Sequence, residues 1–180
     1  MKAFSPTDGK AIPVTVVTRE SLGEWRDGRS AHEKKWLGVN SFSGAPGKTC
    51  LIPAADGSLS RVVLGTSDPL EIWDTAGLAY NLPDGLYRLE GVRGKDAATR
   101  AALGWALGGY RFDAYRNSAK LKTSLRWPKT CDKAYVTRAT EATFLVRNLI
   151  NTPADDMGPS ELEKAARNLA RQHRATLKVL

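Results

Sequence analysis

Hydrophobic and polar positions along the chain predict strands that alternate with helices. Short β-branched or aliphatic runs predict strands at 12–17, 51–53, 59–65, 86–89 and 175–180. The turn Asp56-Gly57 joins two of them and predicts an antiparallel hairpin. A segment that is apolar nearly all round, from Ala97 to about Gly108 after Asp96, predicts a buried helix. Together these elements predict an α/β fold with a mixed sheet flanked by helices.

The remaining elements of this half are shorter. The polar stretch 18–37 predicts two short helices, the second from about Ala31, with Trp25, Trp36 and Leu37 on the buried side. Asp68 is expected to cap a further helix with Pro69 in its first position. The expected buried face of that helix holds Leu70, Trp73, Gly77 and Tyr80.

Two glycine patterns invite a phosphate-loop reading. Gly47-Lys48-Thr49 lacks the glycine that the motif requires five positions earlier, where Phe42 stands, and a strand rather than a helix follows it. Gly104 and Gly108 lie inside the predicted helix and lack dinucleotide spacing. We interpret these two glycines as positions where a neighbouring backbone approaches closely.

The last forty or so residues predict a second unit. Apolar positions from Ala142 to Ile150 recur at helical spacing, in a helix that begins near Thr140 and ends at about Asn151 before Pro153. Ser160 and Glu163 have capping-box spacing for a second helix. With the strand at 175–180, these elements leave apolar faces uncovered. We therefore expect a domain over 1–139 and the start of an incomplete one over 140–180, or else a complete protein that dimerises through those faces.

Net charge is +8, and much of it falls in 111–138. Aromatic residues Tyr110, Phe112, Tyr115 and Trp127 are interleaved with the cations, a composition able to meet phosphates and stack on bases. The plainer reading is a solvated connector whose aromatics pack on the domain. The cations of this possible nucleic-acid or partner surface are Arg111, Arg116, Lys120, Lys122, Arg126, Lys129, Lys133 and Arg138.

Candidate metal or redox groups are few. Cys50 and Cys131 are the only cysteines and are expected to be free thiols, while His32 and His173 are expected on the surface. No apolar run reaches the roughly 18 residues of a membrane span. The first ten residues lack the apolar core of a signal peptide, so a cytoplasmic location is expected.

The run from Arg147 to Pro159, R-N-L-I-N-T-P-A-D-D-M-G-P, resembles the junction between the N-terminal and catalytic domains of the leucyl (cytosol) aminopeptidases. Asp155 departs from the asparagine expected there. The segment Trp105 to Phe112 also looks like the corresponding part of that family. The resemblance is firm from Trp105 onward and weaker over the first hundred residues.

This resemblance implies a parent enzyme that releases N-terminal amino acids from peptides with two divalent metals, zinc or manganese, usually as a hexamer. The family's metal ligands lie around Gly-Lys-Gly and Asn-Thr-Asp-Ala-Glu-Gly-Arg, which this sequence lacks. No catalytic or metal-binding residue is therefore assigned, and the chain alone is expected to be inactive. Asp155 and Asp156 are interpreted as turn residues.

The resemblance also implies a role for the N-terminal domain, in oligomer assembly and in access to the active site. That domain resembles the macrodomain fold, which binds ADP-ribose, and some members of the family bind DNA through it. A nucleotide or nucleic-acid binding module that uses the basic segment is thus the alternative function.

Overall fold

Six strands form one mixed sheet in the computed structural model, which describes residues 3–6, 9–115 and 121–179. The strands are β1 (Phe4–Ser5), β2 (Ile12–Val17), β3 (Thr49–Pro53), β4 (Leu59–Gly65), β5 (Gly85–Glu90) and β6 (Thr123–Arg126). Their order is β1-β6-β5-β2-β4-β3. All neighbours are parallel except β3 and β4, which form the expected antiparallel hairpin. The predicted mixed sheet is confirmed.

Six α-helices complete the described chain. They are α1 (Leu22–Asp27), α2 (Ala31–Val39), α3 (Leu78–Asn81), α4 (Lys95–Gly108), α5 (Lys133–Asn151) and α6 (Pro159–Gln172), and a short 3-10 helix spans Ile72–Asp74. Two compact units contain these elements: Met1–Tyr110 with Ala119–Thr140, and Arg111–Ser118 with Glu141–Leu180. The whole sheet belongs to the first unit. No described helix has the length and apolarity needed to cross a membrane.

The sheet of the first unit has a core on each face. Residues that alternate along a strand point to opposite faces. On one face Val17 and Val63 pack with Leu37 of α2. On the other, the Tyr87 ring of β5 meets the fully buried Trp105 of α4, with ring centroids 5.9 Å apart. The two pairs of helices, α1 with α2 and α3 with α4, therefore cover opposite faces.

Close backbone approach explains both glycines of α4. A Cβ atom built on Gly104 would lie 1.8 Å from the carbonyl oxygen of Ile72, and one on Gly108 would lie 1.7 Å from that of Ala76. No side chain fits in that space. The packing interpretation of these glycines is confirmed.

The segment after β4 corrects the sequence prediction. Asp68 caps no helix there, and Trp73, expected in a buried face, is 65% exposed. Instead the buried Asp74 carboxylate accepts hydrogen bonds from the backbone N–H groups of Ser67 and Glu71, both at 2.9 Å. These bonds close a tight turn, so the chain forms two short helical pieces rather than one helix.

Trp36 also lies differently from the prediction. It is 37% exposed, whereas Leu37 is buried and Trp25 is half-buried against the same core. The Trp36 indole N–H donates to the carbonyl oxygen of Leu51 at 2.5 Å. Because β3 is an edge strand, this contact covers part of an open hydrogen-bonding edge.

The basic segment is not a plain connector. It contains β6, which lies between β1 and β5, and the helix expected near Thr140 begins at Lys133. The Asp132 carboxylate accepts the backbone N–H of Tyr135 at 2.9 Å and lies at the start of α5. The predicted end of α5 at Asn151 is confirmed. Aspartate is a preferred N-cap residue, so Asp132 indicates in the sequence that α5 starts before Thr140.

The second unit is helical, and two predictions for it are wrong. Gly158, not Ser160, precedes α6, and the Glu161 carboxylate accepts the Gly158 N–H at 3.1 Å. Residues 175–179 form no strand. A strand needs a hydrogen-bonded neighbour, and β-branched composition cannot supply one.

Candidate functional site

A crevice lies where three parallel strands end. β2, β4 and β5 run in the same direction, so their carboxyl ends meet at one edge of the sheet. The chain leaves β2 towards α1 on one face and leaves β5 towards α4 on the other. Diverging connections of this kind open a crevice between neighbouring strands, the usual ligand position in open α/β sheets.

The crevice has a volume of about 580 Å³ and is open to solvent. Val16, Val17 and Leu70 are its apolar lining residues, and the hydroxyl-bearing residues Thr18 and Ser21 after β2 and Thr66 and Ser67 after β4 also line it. Charged side chains line the remainder: Arg93, Lys95 and Arg100, with the carboxylates Asp68 and Asp96. We refer to this site as the carboxyl-edge cleft.

Hydrogen bonds hold the walls of the carboxyl-edge cleft in place. Arg100 Nε donates to the carbonyl oxygen of Leu70 at 2.7 Å, which joins α4 to the loop after β4. The same loop is fixed by the Asp74 carboxylate, which accepts the Ser67 N–H. On the opposite wall, the Thr18 N–H donates to Ser21 Oγ at 2.8 Å. These hydrogen bonds hold the loops that line the cleft in fixed positions.

The third wall is the turn from β5 into α4. Gly91 and Gly94 have φ angles of 87° and 81°, which favour glycine. No side chain caps α4, since its N-cap residue is Gly94. The first N–H groups of a helix have no partner within the helix. Lys95, Asp96 and Ala97, the first three residues of α4, are among the residues that line the cleft.

Sequence analysis missed this site. The sequence pattern indicated only a helix cap at Asp68 and a helix start at Asp96, and it indicated nothing at Arg93. The available signal was the run Gly91 to Lys95, in which two glycines separate a strand from a helix. Only the strand order brings that run next to 66–70, because β4 and β5 lie on either side of β2.

A second cavity of about 480 Å³ lies beside the first, at the ends of β5 and β6. Arg88, Arg126 and Lys129 line it with Trp127, and Val92 lines both cavities. Arg88 is already paired with Glu90. Glu90 also accepts a hydrogen bond from Arg61 Nη1 at 2.6 Å. Burial favours the neutral form of Glu90, but its bonds to the two arginines outweigh burial and lower its pKa.

The basic residues chosen from sequence divide between the two units. Arg111 lies in the second unit, whereas Lys122, Arg126, Lys129, Lys133 and Arg138 lie in the first. Arg116 and Lys120 are outside the described residues.

Several of the described basic residues already have partners. Lys122 Nζ is 3.2 Å from Asp84, Arg126 Nη2 donates to the carbonyl oxygen of Gly9, and Lys133 Nζ is 5.8 Å from the centre of the Trp127 ring.

Three of the interleaved aromatics contact another aromatic ring of the same unit. Trp127 stacks on Phe4 with ring centroids 3.7 Å apart, and Phe112 lies against Tyr115 at 5.9 Å. The stack of Trp127 on Phe4 agrees with the plainer reading, in which the aromatics pack on the domain, whereas Tyr115 is 57% exposed. A nucleic-acid surface on this segment stays a prediction without support from the geometry.

Asp155 and Asp156 occupy the turn between α5 and α6. Asp156 Oδ2 accepts the Tyr115 hydroxyl at 2.5 Å, and this bond raises the pKa of Tyr115. Across residues 3–6, 9–115 and 121–179, no three His, Cys, Asp or Glu side chains converge as metal ligands. The described residues therefore do not fit a two-metal centre, and no catalytic step is derived from them.

The remaining candidate side chains have structural surroundings. Cys50 and Cys131 are buried free thiols, as expected, and burial raises the pKa of each. His32 is exposed, and its Nε2 lies 2.9 Å from the carbonyl oxygen of Pro53 on the edge strand β3. His173 is exposed at the end of α6.

Residues 12–128 match the family model described as "M17 aminopeptidase, N-terminal domain". The chain belongs to the M17 aminopeptidase family. This match covers strands β2 to β6 and contains the carboxyl-edge cleft. The resemblance inferred from the 147–159 junction and from 105–112 is confirmed.

Curated relatives in this family are described as probable cytosol aminopeptidases. One from Caulobacter vibrioides is 30% identical over 92% of this chain and 40% of its own length. Another from Streptomyces coelicolor is 28% identical over 96% of this chain and 40% of its own length. The chain thus spans about 40% of the length of these M17 relatives.

Solved structures give the same result. Cytosol aminopeptidase from Coxiella burnetii is 34% identical, with a TM-score of 0.89 over 99% of this chain and 39% of that one. The bottromycin maturation enzyme BotP in complex with Mn has a TM-score of 0.64 at 23% identity, over 89% of this chain and 36% of its own. BotP at this identity supports the fold alone. The fold of the N-terminal domain is therefore that of the M17 aminopeptidases.

Proposed function

We propose that this chain is the N-terminal portion of a metalloexopeptidase that releases N-terminal amino acids from peptides. The observation that carries the proposal is the match of the M17 N-terminal domain model to residues 12–128, and the Caulobacter relative, covered over only 40% of its length, agrees with it. Residues 1–139 would form the N-terminal domain and 140–180 the start of the catalytic domain. The catalytic groups would then lie in sequence that these 180 residues do not contain.

In this proposal the chain contributes architecture rather than chemistry. It would support assembly of a cytoplasmic oligomer, a hexamer as the family resemblance implies, and shape the access of peptides to the active site. Exposed apolar residues on α5 and α6 support this role, since Ile150 is 75% exposed and Leu162 is 54% exposed. Apolar surface of this kind is typical of interfaces.

The parent enzyme would use two divalent metals, manganese or zinc. Support comes from the family resemblance and from BotP, which was solved with Mn. In such enzymes a metal pair activates a water molecule and polarises the scissile carbonyl group. The described residues of this chain would supply none of the ligands.

Activity assays on two forms test the proposal. We expect the purified 180-residue chain to hydrolyse leucine p-nitroanilide no faster than buffer, with or without Mn²⁺. The cytosol aminopeptidase of Coxiella burnetii, assayed in parallel, is the positive control. Mn²⁺-dependent hydrolysis by the chain alone would contradict the assignment of catalysis to absent sequence.

Measuring the intact mass of the native gene product from fresh cell extract tests whether the native protein contains the proposed catalytic domain. A product much larger than 19.6 kDa with Mn²⁺-dependent or Zn²⁺-dependent peptidase activity is expected. A native product of 19.6 kDa would contradict both the proposed catalytic domain and the proposed peptidase activity.

A further inference from the structure

We propose that Trp36 and His32 of α2 keep the edge of strand β3 closed to pairing with a second copy of this chain. We refer to these two side chains as the aromatic cover. The proposal concerns the first unit alone and requires no peptidase activity. It therefore goes beyond the proposed function and can be tested independently of it.

The two edges of the sheet differ in how much backbone they present. β1 at one edge has two residues, whereas β3 at the other has five. An edge strand presents unpaired N–H and C=O groups, to which another chain can add a strand. A very short strand offers few such groups. The edge at which an added strand could pair is therefore β3.

Alternate residues of β3 point away from its neighbour β4. In an antiparallel pair, both hydrogen-bonding groups of a residue point to the same side, and that side alternates along the strand. The carbonyl oxygen of Lys48 accepts the Gly65 N–H at 2.8 Å, so residues in step with Lys48 face β4. Thr49 and Leu51 therefore direct their N–H and C=O groups to the open side.

The aromatic cover occupies acceptors on this open side. Trp36 Nε1 donates to the carbonyl oxygen of Leu51 at 2.5 Å. His32 Nε2 lies 2.9 Å from the carbonyl oxygen of Pro53, and since a carbonyl oxygen can only accept, the ring nitrogen donates. Pro53 itself has no N–H. Both contacts thus use acceptors that an added strand would need.

Helix α2 sets the position of the aromatic cover. His32 and Trp36 are four residues apart and therefore lie on one side of the helix, with ring centroids 6.2 Å apart. The adjacent Leu37 is 2% exposed in the core and fixes the rotation of the helix. Ser30 and Glu33 form a capping box that fixes its start. The cover is therefore held at the edge by a packed and capped helix.

A symmetric dimer through β3 would need the same carbonyl oxygens. With a twofold axis at Leu51, the strands of two copies would be antiparallel, with Leu51 opposite Leu51 and Thr49 opposite Pro53. The Leu51 residues would exchange a pair of hydrogen bonds, and each Thr49 N–H would donate to a Pro53 carbonyl oxygen. Every one of these bonds ends on an oxygen that Trp36 or His32 contacts. Pairing therefore requires displacement of the cover.

The first experiment removes the cover from the purified 180-residue chain labelled with ¹⁵N. Trp36→Ala/His32→Ala deletes both rings and both donors. We expect the Thr49 and Leu51 amides of this variant to exchange with solvent at least about tenfold more slowly at high than at low protein concentration, because pairing protects them. Their exchange in the parent chain should not depend on concentration. No such dependence in the variant would overturn the proposal.

The matched control removes the same residue types outside α2 and β3. Trp73 is 65% exposed and His173 is exposed, so Trp73→Ala/His173→Ala makes the same change in composition. Loss of an exposed aromatic ring ordinarily reduces self-association, because it removes apolar surface. Only loss of the cover should increase it. Equal protection of the β3 amides in both double variants would overturn the proposal.

A milder variant decides the question if the double alanine variant unfolds. Trp36→Phe/His32→Ala keeps a ring beside the edge but removes both N–H donors. It should protect the Thr49 and Leu51 amides with rising concentration, at concentrations higher than the double alanine variant requires. Circular dichroism checks that each variant is folded. A folded variant of this kind whose β3 amides exchange as in the parent would contradict the role of the two donors.

A charge placed at the twofold axis tests the register. In the chain without the cover, Leu51→Lys would put two ammonium groups opposite each other, whereas Val39→Lys adds the same charge at a 73% exposed position of α2. Like charges directly opposite on paired strands are destabilising. Leu51→Lys should weaken association at least about tenfold, with partial recovery at high salt, and Val39→Lys less than about threefold. Equal effects, measured by sedimentation velocity, would overturn pairing through β3.

Discussion

The two units of the molecule differ in how they cover their own apolar side chains. In the first, Val14, Tyr87 and Trp105 are 0% exposed. In the second, α6 contains no buried residue, and Val146 and Ile150 on α5 are 53% and 75% exposed. Apolar side chains contribute to stability only when they are removed from water. The sheet unit therefore supplies its own core, whereas the helical unit leaves apolar surface in solvent.

Helix α5 shows the same contrast within one element. Its buried residues, Val136 and Thr140, lie in the part that belongs to the first unit. From Glu141 onward its residues are half-buried or exposed. The apolar periodicity of α5 thus continues from buried positions to exposed ones. Helical periodicity indicates which face is apolar but not whether another element covers it.

The largest expected contrast is between Trp105 and Ile150. Trp105→Ala should lower the free energy of unfolding by about 3–5 kcal/mol, because it leaves a large cavity beside Tyr87. Ile150→Ala, at an exposed helix position, should change it by less than about 0.5 kcal/mol. Urea unfolding followed by circular dichroism measures both. Comparable losses in the two variants would mean that Ile150 is covered in solution.

A smaller contrast is expected between two helical glycines of the first unit. Gly108→Ala places a methyl group on the Ala76 backbone and should cost about 1–3 kcal/mol. At Gly38 of α2, nothing lies within 4 Å of the added Cβ atom. Gly38→Ala should therefore stabilise the chain by about 0.5–1 kcal/mol, since alanine loses less backbone entropy in a helix. Melting temperatures should move in opposite directions. A Gly108→Ala variant as stable as the parent would show that α4 can shift away.

The smallest expected effect is the change of stability at alkaline pH, where the ionisation of Tyr87 is compared with that of Tyr115. Burial, with the nearby Asp84 charge, raises the pKa of Tyr87 to about 12. Folding favours the neutral phenol of Tyr87. Its contribution to the free energy of unfolding is therefore fully present below the unfolded pKa of about 10 and is lost as pH rises towards 12. Absorbance near 295 nm follows the ionisation, and unfolding is measured at each pH.

Tyr87→Phe is the control for this titration. It should remove the last phenol to ionise and flatten the loss of stability above about pH 10. Tyr115 of the second unit is exposed, and its raised pKa depends mainly on the bond to Asp156. Because Tyr115 is exposed, Tyr115→Phe should reduce the loss of stability with pH less than Tyr87→Phe does. Ionisation of all five tyrosines near pH 10 would contradict the burial of Tyr87.

Much of the fold could be predicted from local pattern. The strands at 12–17 and 59–65 and the helix from Ala97 to Gly108 were found because short β-branched runs and a uniformly apolar helix are strong local signals. The failures have physical reasons. Around Asp68 the buried Asp74 carboxylate closes a turn, and at 175–179 no neighbouring strand is present among the described residues.

The carboxyl-edge cleft could not be predicted in the same way. Its walls come from 16–21, 66–70 and 91–100, which are far apart in the sequence. Neither the strand order nor the direction of each connection can be read from one segment. The basic segment 111–138, by contrast, was conspicuous in composition, yet Lys122, Arg126 and Trp127 contact residues of their own unit.

The sequence by itself determined the family of this protein, through the 147–159 junction, and determined most strands and helices of the first unit. These features depend on neighbours in the chain, whose propensities and spacing are local. The tertiary structure alone decided which apolar faces are covered and where a cleft opens. Burial and convergence depend on contacts between residues far apart in the sequence, and those contacts exist only after β2, β4 and β5 have paired.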